Sequence, residues 1–273
     1  MKKNILIVLF VYFNFMSMAY AAMPSFPKCT ITDGVTAAPS SNAFCSTEPD
    51  LYKLTIYEMK LCTSAFTPPT TSAAAVTSSC QAVLTNASPS AMTIKKGASS
   101  SVSGTITRPP NGTYTHGYIL LSNVLSVTDS RQFNTSFDDD DASYVADGVY
   151  CASTATGADC DSSAVTAIEQ PMALGATHMT NYTAGEQAIA GYGTMNAWLV
   201  DTDQKLEADT DGDVKYMVGE LAFTTPVVLT DSTTSMNMSF DVSNGIMFMN
   251  QNRGGTPGLG IYAGPFMIRM SVE

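Results

Sequence analysis

Asp209, Asp211 and Asp213, with Glu220 further on, carry the most pointed chemistry in this chain. They occupy positions 1, 3, 5 and 12 of a calcium-loop pattern, in which hard carboxylate oxygens at alternating positions wrap a divalent cation. Position 6 of that pattern needs the freedom of glycine at a sharp turn, but here it is Val214, and Gly212 stands at position 4. Strand-like residues flank the run on both sides. A plain Asp-Gly hairpin turn therefore competes with the ion site and is the favoured reading, with Glu220 as a strand residue. Calcium is the one cofactor the sequence suggests. A second acidic run, Asp138, Asp139, Asp140 and Asp141, sits among small polar residues and reads as a solvated loop.

Other chemistries find less support. His116 and His178 are the two histidines. His116 lies between Tyr114 and Tyr118 in a strand pattern and reads as an ordinary hydrogen-bonded strand residue; His178 sits in a Gly/Thr-rich loop. Neither has the i, i+4 partner of a helical zinc motif. The chain has no G-x-S-x-G elbow, P-loop or dinucleotide fingerprint. Paired carboxylates for glycoside hydrolysis would have to come from turn-rich loops, which favour solvation over the raised pKa of a general acid. Met236, Met238, Met247 and Met249 are soft enough for copper(I), but their spacing is that of strands, where methionine fills core gaps. No catalytic or cofactor-binding residue is assigned.

Cys29, Cys45, Cys62, Cys80, Cys151 and Cys160 form an even set with no C-x-x-C. In an exported chain such a set predicts disulfides. Sequential pairing, Cys29–Cys45, Cys62–Cys80 and Cys151–Cys160, is favoured because each pair brackets one local segment. Export itself is predicted by residues 1–21: Lys2 and Lys3, an apolar run over 5–18, then Ala19-Tyr20-Ala21, the layout of a cleaved signal peptide. The run is short for a membrane span. No cysteine follows it directly, so a lipid anchor is not expected. Acidic residues outnumber basic ones 24 to 13, for a net charge of −11. Such a surface repels phosphate backbones, which argues against nucleic-acid partners.

The elements that must position these groups read as strands. Short runs rich in Thr, Val, Ile, Tyr and Phe are bounded by Gly, Pro, Asn and Asp, which predicts an all-β, antiparallel β-sandwich. Residues 235–243 alternate cleanly, and Asn244-Gly245 then predicts a tight hairpin into Ile246-Met247-Phe248-Met249. Residues 52–62 begin as one strand whose apolar face switches at Tyr57, the mark of a bulge or of a strand passing between sheets. A long strand is expected over 113–127, and Trp198-Leu199-Val200 should pair with residues 214–223. Residues 22–273 are read as one domain, with a loop-rich insertion at about 128–186 and a loop at 63–79 clipped by Cys62 and Cys80.

Two stretches carry a resemblance. Tyr52-Lys53-Leu54-Thr55-Ile56-Tyr57-Glu58-Met59-Lys60-Leu61-Cys62, with Cys80 after it, resembles the opening strand and clipped loop of uncharacterised bacterial exported proteins. Pro110-Asn111-Gly112-Thr113-Tyr114-Thr115-His116 resembles a later turn and strand of the same group, whose sandwich is transthyretin-like or immunoglobulin-like. The resemblance implies a β-rich exported domain and transfers no catalytic residue. The function expected is that of a non-catalytic sandwich of the cell envelope, periplasmic or extracellular, binding a ligand or partner through its end loops. A subunit of a surface fibre or pilus is the alternative, and an extracellular carbohydrate-active hydrolase the third reading.

Overall fold

The computed structural model describes residues 27–40, 43–96, 104–134, 149–174, 183–189 (backbone), 193–207, 213–253 and 256–273. The expected leader, the aspartates at 138–141, His178, Asp209 and Asp211 lie outside these residues. Among the described residues every regular element is a β-strand.

The largest sheet has seven strands, in the order Thr183–Ile189, Gly193–Val200, Tyr216–Leu229, Gly112–Ser122, Ile56–Cys62, Cys80–Thr85 and Thr105–Ile106. A four-stranded sheet runs Gln170–Ala173, Val124–Thr128, Leu51–Leu54, Met92–Lys95. A five-stranded sheet runs Ile31–Thr32, Val35–Thr36, Ser130–Phe133, Val149–Thr154, Gly157–Asp161, and contains the one parallel strand pair, Gln132 opposite Val35. Thr256–Ala263, Ile246–Arg253 and Phe44–Thr47 make a fourth sheet, and Met236–Asp241 pairs with Met267–Val272 in a small fifth one. One face of the seven-stranded sheet, through Ile56, Met59, Ile119 and Leu121, shares a core with Tyr52 and Val127, Phe133 and Cys151, Phe248 and Ile261, and Ile268. All five sheets therefore contribute to one apolar interior, the largest favourable contribution to folding.

Two strands change sheet in mid-run, the first where the sequence shows its face switch and the second where it shows none. Leu51–Leu54 belongs to the four-stranded sheet and Ile56–Cys62 to the seven-stranded one, with a register shift between Ile56 and Glu58. The long strand expected over 113–127 is likewise cut at Asn123, after which Val124–Thr128 joins the four-stranded sheet. Asn123 is 7% exposed, and its amide donates to the carbonyls of Leu174 (3.0 Å) and Val214 (2.9 Å), satisfying the backbone where the ladder is interrupted. The Asp50 and Asp129 corners are tied together. Asp50 N donates to the Asp129 carboxylate at 3.2 Å, and Arg131 clamps the same carboxylate at 2.5 and 2.6 Å while lying over the Phe248 ring. Burial still pushes Asp129 above the usual carboxylate range, with Arg131 opposing the shift.

Three expectations are corrected. Asn244-Gly245 does close a turn, Gly245 N to Val242 O at 2.8 Å, but it makes no hairpin: Met236–Asp241 pairs with Met267–Val272, whereas Ile246–Arg253 pairs with Thr256–Ala263 and Phe44–Thr47. Phe240 stacks towards Phe266 while Phe248 stacks on Phe133, so the two runs are drawn to different partners. Within 128–186 the described residues, 128–134, 149–174 and 183–186, are not loop-rich over a thin core. They supply five strands to three sheets, and bury Phe133, Val149 and Cys151 in the shared interior. Met247 and Met249 do not fill the core; Ile246 and Phe248, fully buried, take the inward positions of that strand.

The structure forms three disulfides, in the sequential pairing. Cys62 and Cys80 stand directly opposite each other on neighbouring strands, as do Cys151 and Cys160. Cys29 ties the described N-terminal end to Cys45 in Phe44–Thr47. Among the described residues no helix is long and apolar enough to cross a membrane.

Candidate functional site

The face of the seven-stranded sheet turned away from the shared core carries a row of polar side chains set by register alone. Lys60 lies opposite Tyr118, Tyr118 opposite Glu220, and Glu220 opposite Asn196, so four adjacent strands each place one polar residue on one line. Cross-strand neighbours on one face stand within about 5 Å of each other at Cβ. His116 and Thr194 flank Ala222 in the next row, and Leu120, Val218 and Trp198 form the row on the other side.

The segment 63–79 roofs this face. Its base is the Cys62–Cys80 bridge, and paired hydrogen bonds between Thr67 and Val76 and between Thr70 and Ala73 give it a narrow ribbon shape. Thr70 O accepts from Leu206 N at 3.0 Å, which anchors the far end beside the turn after Gly193–Val200. From the strap Phe66, 4% exposed, packs edge-on against Tyr118 (5.3 Å between centroids) and against Trp198 (5.9 Å). Tyr118 and Trp198 stand on the two strands flanking Tyr216–Leu229, and Phe66 packs with both in one apolar cluster that includes Val218 of that strand.

Charge under the strap is unevenly satisfied. Lys60 donates to the Glu58 carboxylate (3.1 Å) and to the Thr77 hydroxyl (3.0 Å), with its ammonium 5.0 Å from the Tyr118 ring centroid. Burial, reinforced by Glu58, holds the Tyr118 phenol well above its ordinary range, so it stays a neutral donor. Glu220 is 8% exposed. One carboxylate oxygen accepts a long hydrogen bond from the Asn196 amide (3.5 Å), and the other, Oε1, has no hydrogen-bond partner. A buried acceptor left this way costs about 1–3 kcal/mol, more if charged.

Of the calcium pattern, Asp213 and Glu220 are described, and Asp209 and Asp211 lie outside the described residues. Asp213 is exposed ahead of the strand, whereas Glu220 lies four residues into Tyr216–Leu229, about 13 Å from its start at the rise of an extended chain. Among the described residues no group of three or more His, Cys, Asp or Glu side chains is placed to hold a metal.

His116 is half-buried and engaged, its Nδ1 2.8 Å from the Thr115 hydroxyl. That hydroxyl gives its one proton to the Thr63 carbonyl at 3.0 Å, so the imidazole donates to Thr115 and does not activate it as a nucleophile. His116 also does not share a packing environment with both neighbouring tyrosines. Tyr114 packs with Leu61, Val227 and Leu229, and Tyr118 with Cys62, Leu120 and Val218. The register shift between Ala222 and Val227, a bulge that accommodates Pro226, separates the two.

Glu220 is a strand residue, as the favoured sequence reading has it, but sequence reading passed over Lys60, Tyr118 and Asn196 as a set with it. The one local signal is a lone acid in the otherwise apolar stretch Met217-Val218-Gly219-Glu220-Leu221. Compared with known proteins, the chain matches no family model, no curated protein and no solved structure.

Proposed function

We propose that this is an exported, non-catalytic binding protein of the cell envelope, working in the periplasm or outside the cell. The observation that carries the reading is that all six cysteines are spent in three disulfides, a state that the reducing cytosol does not sustain in ordinary proteins. Recognition is favoured over catalysis by the character of the roofed face. Its cation and phenol are already paired or neutral, and its histidine serves as a donor, which suits holding a group more than transferring a proton. The strapped face replaces the end loops as the place where binding is expected. Residues 1–26 fused to alkaline phosphatase, an enzyme active only where its own disulfides form, test the compartment. Phosphatase activity and fully blocked thiols in the native protein are expected; a silent fusion with free thiols overturns the reading.

A fibre subunit is the competing proposal, favoured by one feature. The seven-stranded sheet ends at the two-residue strand Thr105–Ile106, which leaves Ile106 73% exposed on an edge, and such edges recruit further strands. Light scattering separates the two: a monomer at all concentrations supports the binding protein, and concentration-dependent polymers the fibre.

A further inference from the structure

We propose that the slot between Tyr118 and Trp198, floored by Glu220 and Asn196, is a binding site for an organic cation of the alkylammonium class, and that Phe66 is the chain's own plug in it. The inference rests on the binding reading above and names the chemistry of its ligand.

The walls and floor are already built. Tyr118 and Trp198 stand on either side of the Tyr216–Leu229 strand and both make T-shaped contacts with the same inserted ring. A cation over an aromatic face is attracted by the ring's quadrupole, most strongly by tryptophan, and gains most when desolvated. On the same face, directly opposite Tyr118 in the register, Glu220 carries a carboxylate nine-tenths buried with Oε1 unpartnered. A phenylalanine ring fills the volume but offers Glu220 no donor and no charge, so the closed state keeps a cost that a bound cation removes.

Lys60 lies directly opposite Tyr118, its ammonium 5.0 Å from that ring's centroid and held by Glu58 and Thr77, so Trp198 is the wall that carries no cation of its own. An anionic ligand would meet Glu220 directly, and a neutral apolar one would leave Oε1 as it is.

Phe66 can leave without unmaking the fold beneath it. It enters from the strap, which keeps its own fastenings without the ring: the disulfide at its base, the Thr67–Val76 and Thr70–Ala73 bonds within it, and the bond from Leu206 N to Thr70 O at its far end. The sheet under it is held by the backbone pairing of its own strands.

Trp198 is the single tryptophan of the chain, so intrinsic fluorescence reads the slot directly. The experiment uses the disulfide-bonded chain of residues 22–273 and its Phe66→Ala and Phe66→Ala/Glu220→Gln variants. Each is titrated with tetramethylammonium chloride, with tert-butanol as the neutral probe of similar shape and sodium chloride as the salt control. The expected result is a saturable Trp198 response to tetramethylammonium in Phe66→Ala. The midpoint should weaken by at least about tenfold when Glu220 is also replaced, and again in the wild type, where Phe66 competes. A folded Phe66→Ala protein with no saturable response up to about 50 mM, well above the millimolar range for so small a ligand, overturns the proposal. An equal response to tert-butanol, or no effect of Glu220→Gln, overturns it as well. Should Phe66→Ala lose its cooperative melt, Phe66→Leu keeps an apolar strap contact without the ring, and the same outcomes decide. Failure here leaves the compartment test untouched, so the ligand class can fall while the envelope reading stands.

Discussion

Replacing Cys62 and Cys80 together by alanine tests how the strap is held. The bridge spans a sequence separation of 18, for which loop-closure entropy of about 11 cal/mol/K corresponds to about 3 kcal/mol at 25 °C. In a chain of this size that is a fall in Tm of roughly 6–12 °C. The effect should arise in the unfolded state, because the native strap has other fastenings. Thr67 pairs with Val76, Thr70 with Ala73, and Leu206 N reaches Thr70 O at 3.0 Å; Phe66 is wedged between two rings. Urea unfolding followed by Trp198 fluorescence separates the two origins. The native spectrum should be unchanged, the m-value should rise as the unfolded chain expands, and the midpoint should drop. By the same arithmetic the Cys29–Cys45 bridge, with a separation of 16, is worth about 3 kcal/mol. The Cys151–Cys160 bridge, with a separation of 9, is worth about 2.6 kcal/mol. A loss below about 1 kcal/mol for Cys62/Cys80, or a shifted native spectrum, would refute the reasoning: the bridge would then act on the folded state.

Asn123→Ala removes the donor that satisfies the Leu174 and Val214 carbonyls; a loss of about 2–4 kcal/mol is expected by urea denaturation, and a loss under 1 would mean water replaces the amide. At Gly264 an added Cβ would lie 1.8 Å from the Asn244 carbonyl oxygen, so Gly264→Ala should fail to reach a cooperative native state, as judged by the thermal melt. Asp129 has its pKa raised on folding, chiefly by burial. Its contribution to stability is therefore greatest below the unfolded carboxylate range and is lost as pH rises through the folded value. Melts of the wild type and Asp129→Asn between about pH 4 and 6 should shift in the variant's favour as pH rises; a gap that moves the other way sinks this account. Glu220 lies buried in the middle of its strand, so Glu220→Gln should leave any calorimetric response to calcium unchanged. A response that vanishes would restore Glu220 as a ligand.

Local alternation made the strands legible, because a pleated strand with one buried face writes its period into the chain. The interruption at Tyr57 reads as a sheet crossing for the same reason, and the structure has both a crossing and a bulge there. Asn244-Gly245 shows the limit. Its turn chemistry is local and does form, but what a strand pairs with depends on which core position accepts Ile246 and Phe248, and that position lies next to Phe133, more than a hundred residues away. The segment at 128–186 failed similarly: its small polar residues look like loop, and only its seats in three sheets supply the burial that makes strands of it.

From the sequence alone come the all-β class, the acidic charge, the sequential cysteine pairing favoured by proximity, and the expectation of export. These follow from composition, period and short spacings, which act along the chain. Tertiary structure decided which acids and aromatics meet. Lys60, Tyr118, Glu220 and Asn196 lie on four strands in an order that sequence spacing does not encode, and Phe66 comes to them from a strap on a fifth segment. Register between distant strands is set by the global packing of side chains on both faces. For that reason the chain shows Glu220 only as an acid at calcium-loop spacing or a strand residue, and the fold sets it buried between Tyr118 and Asn196 with Oε1 unpartnered.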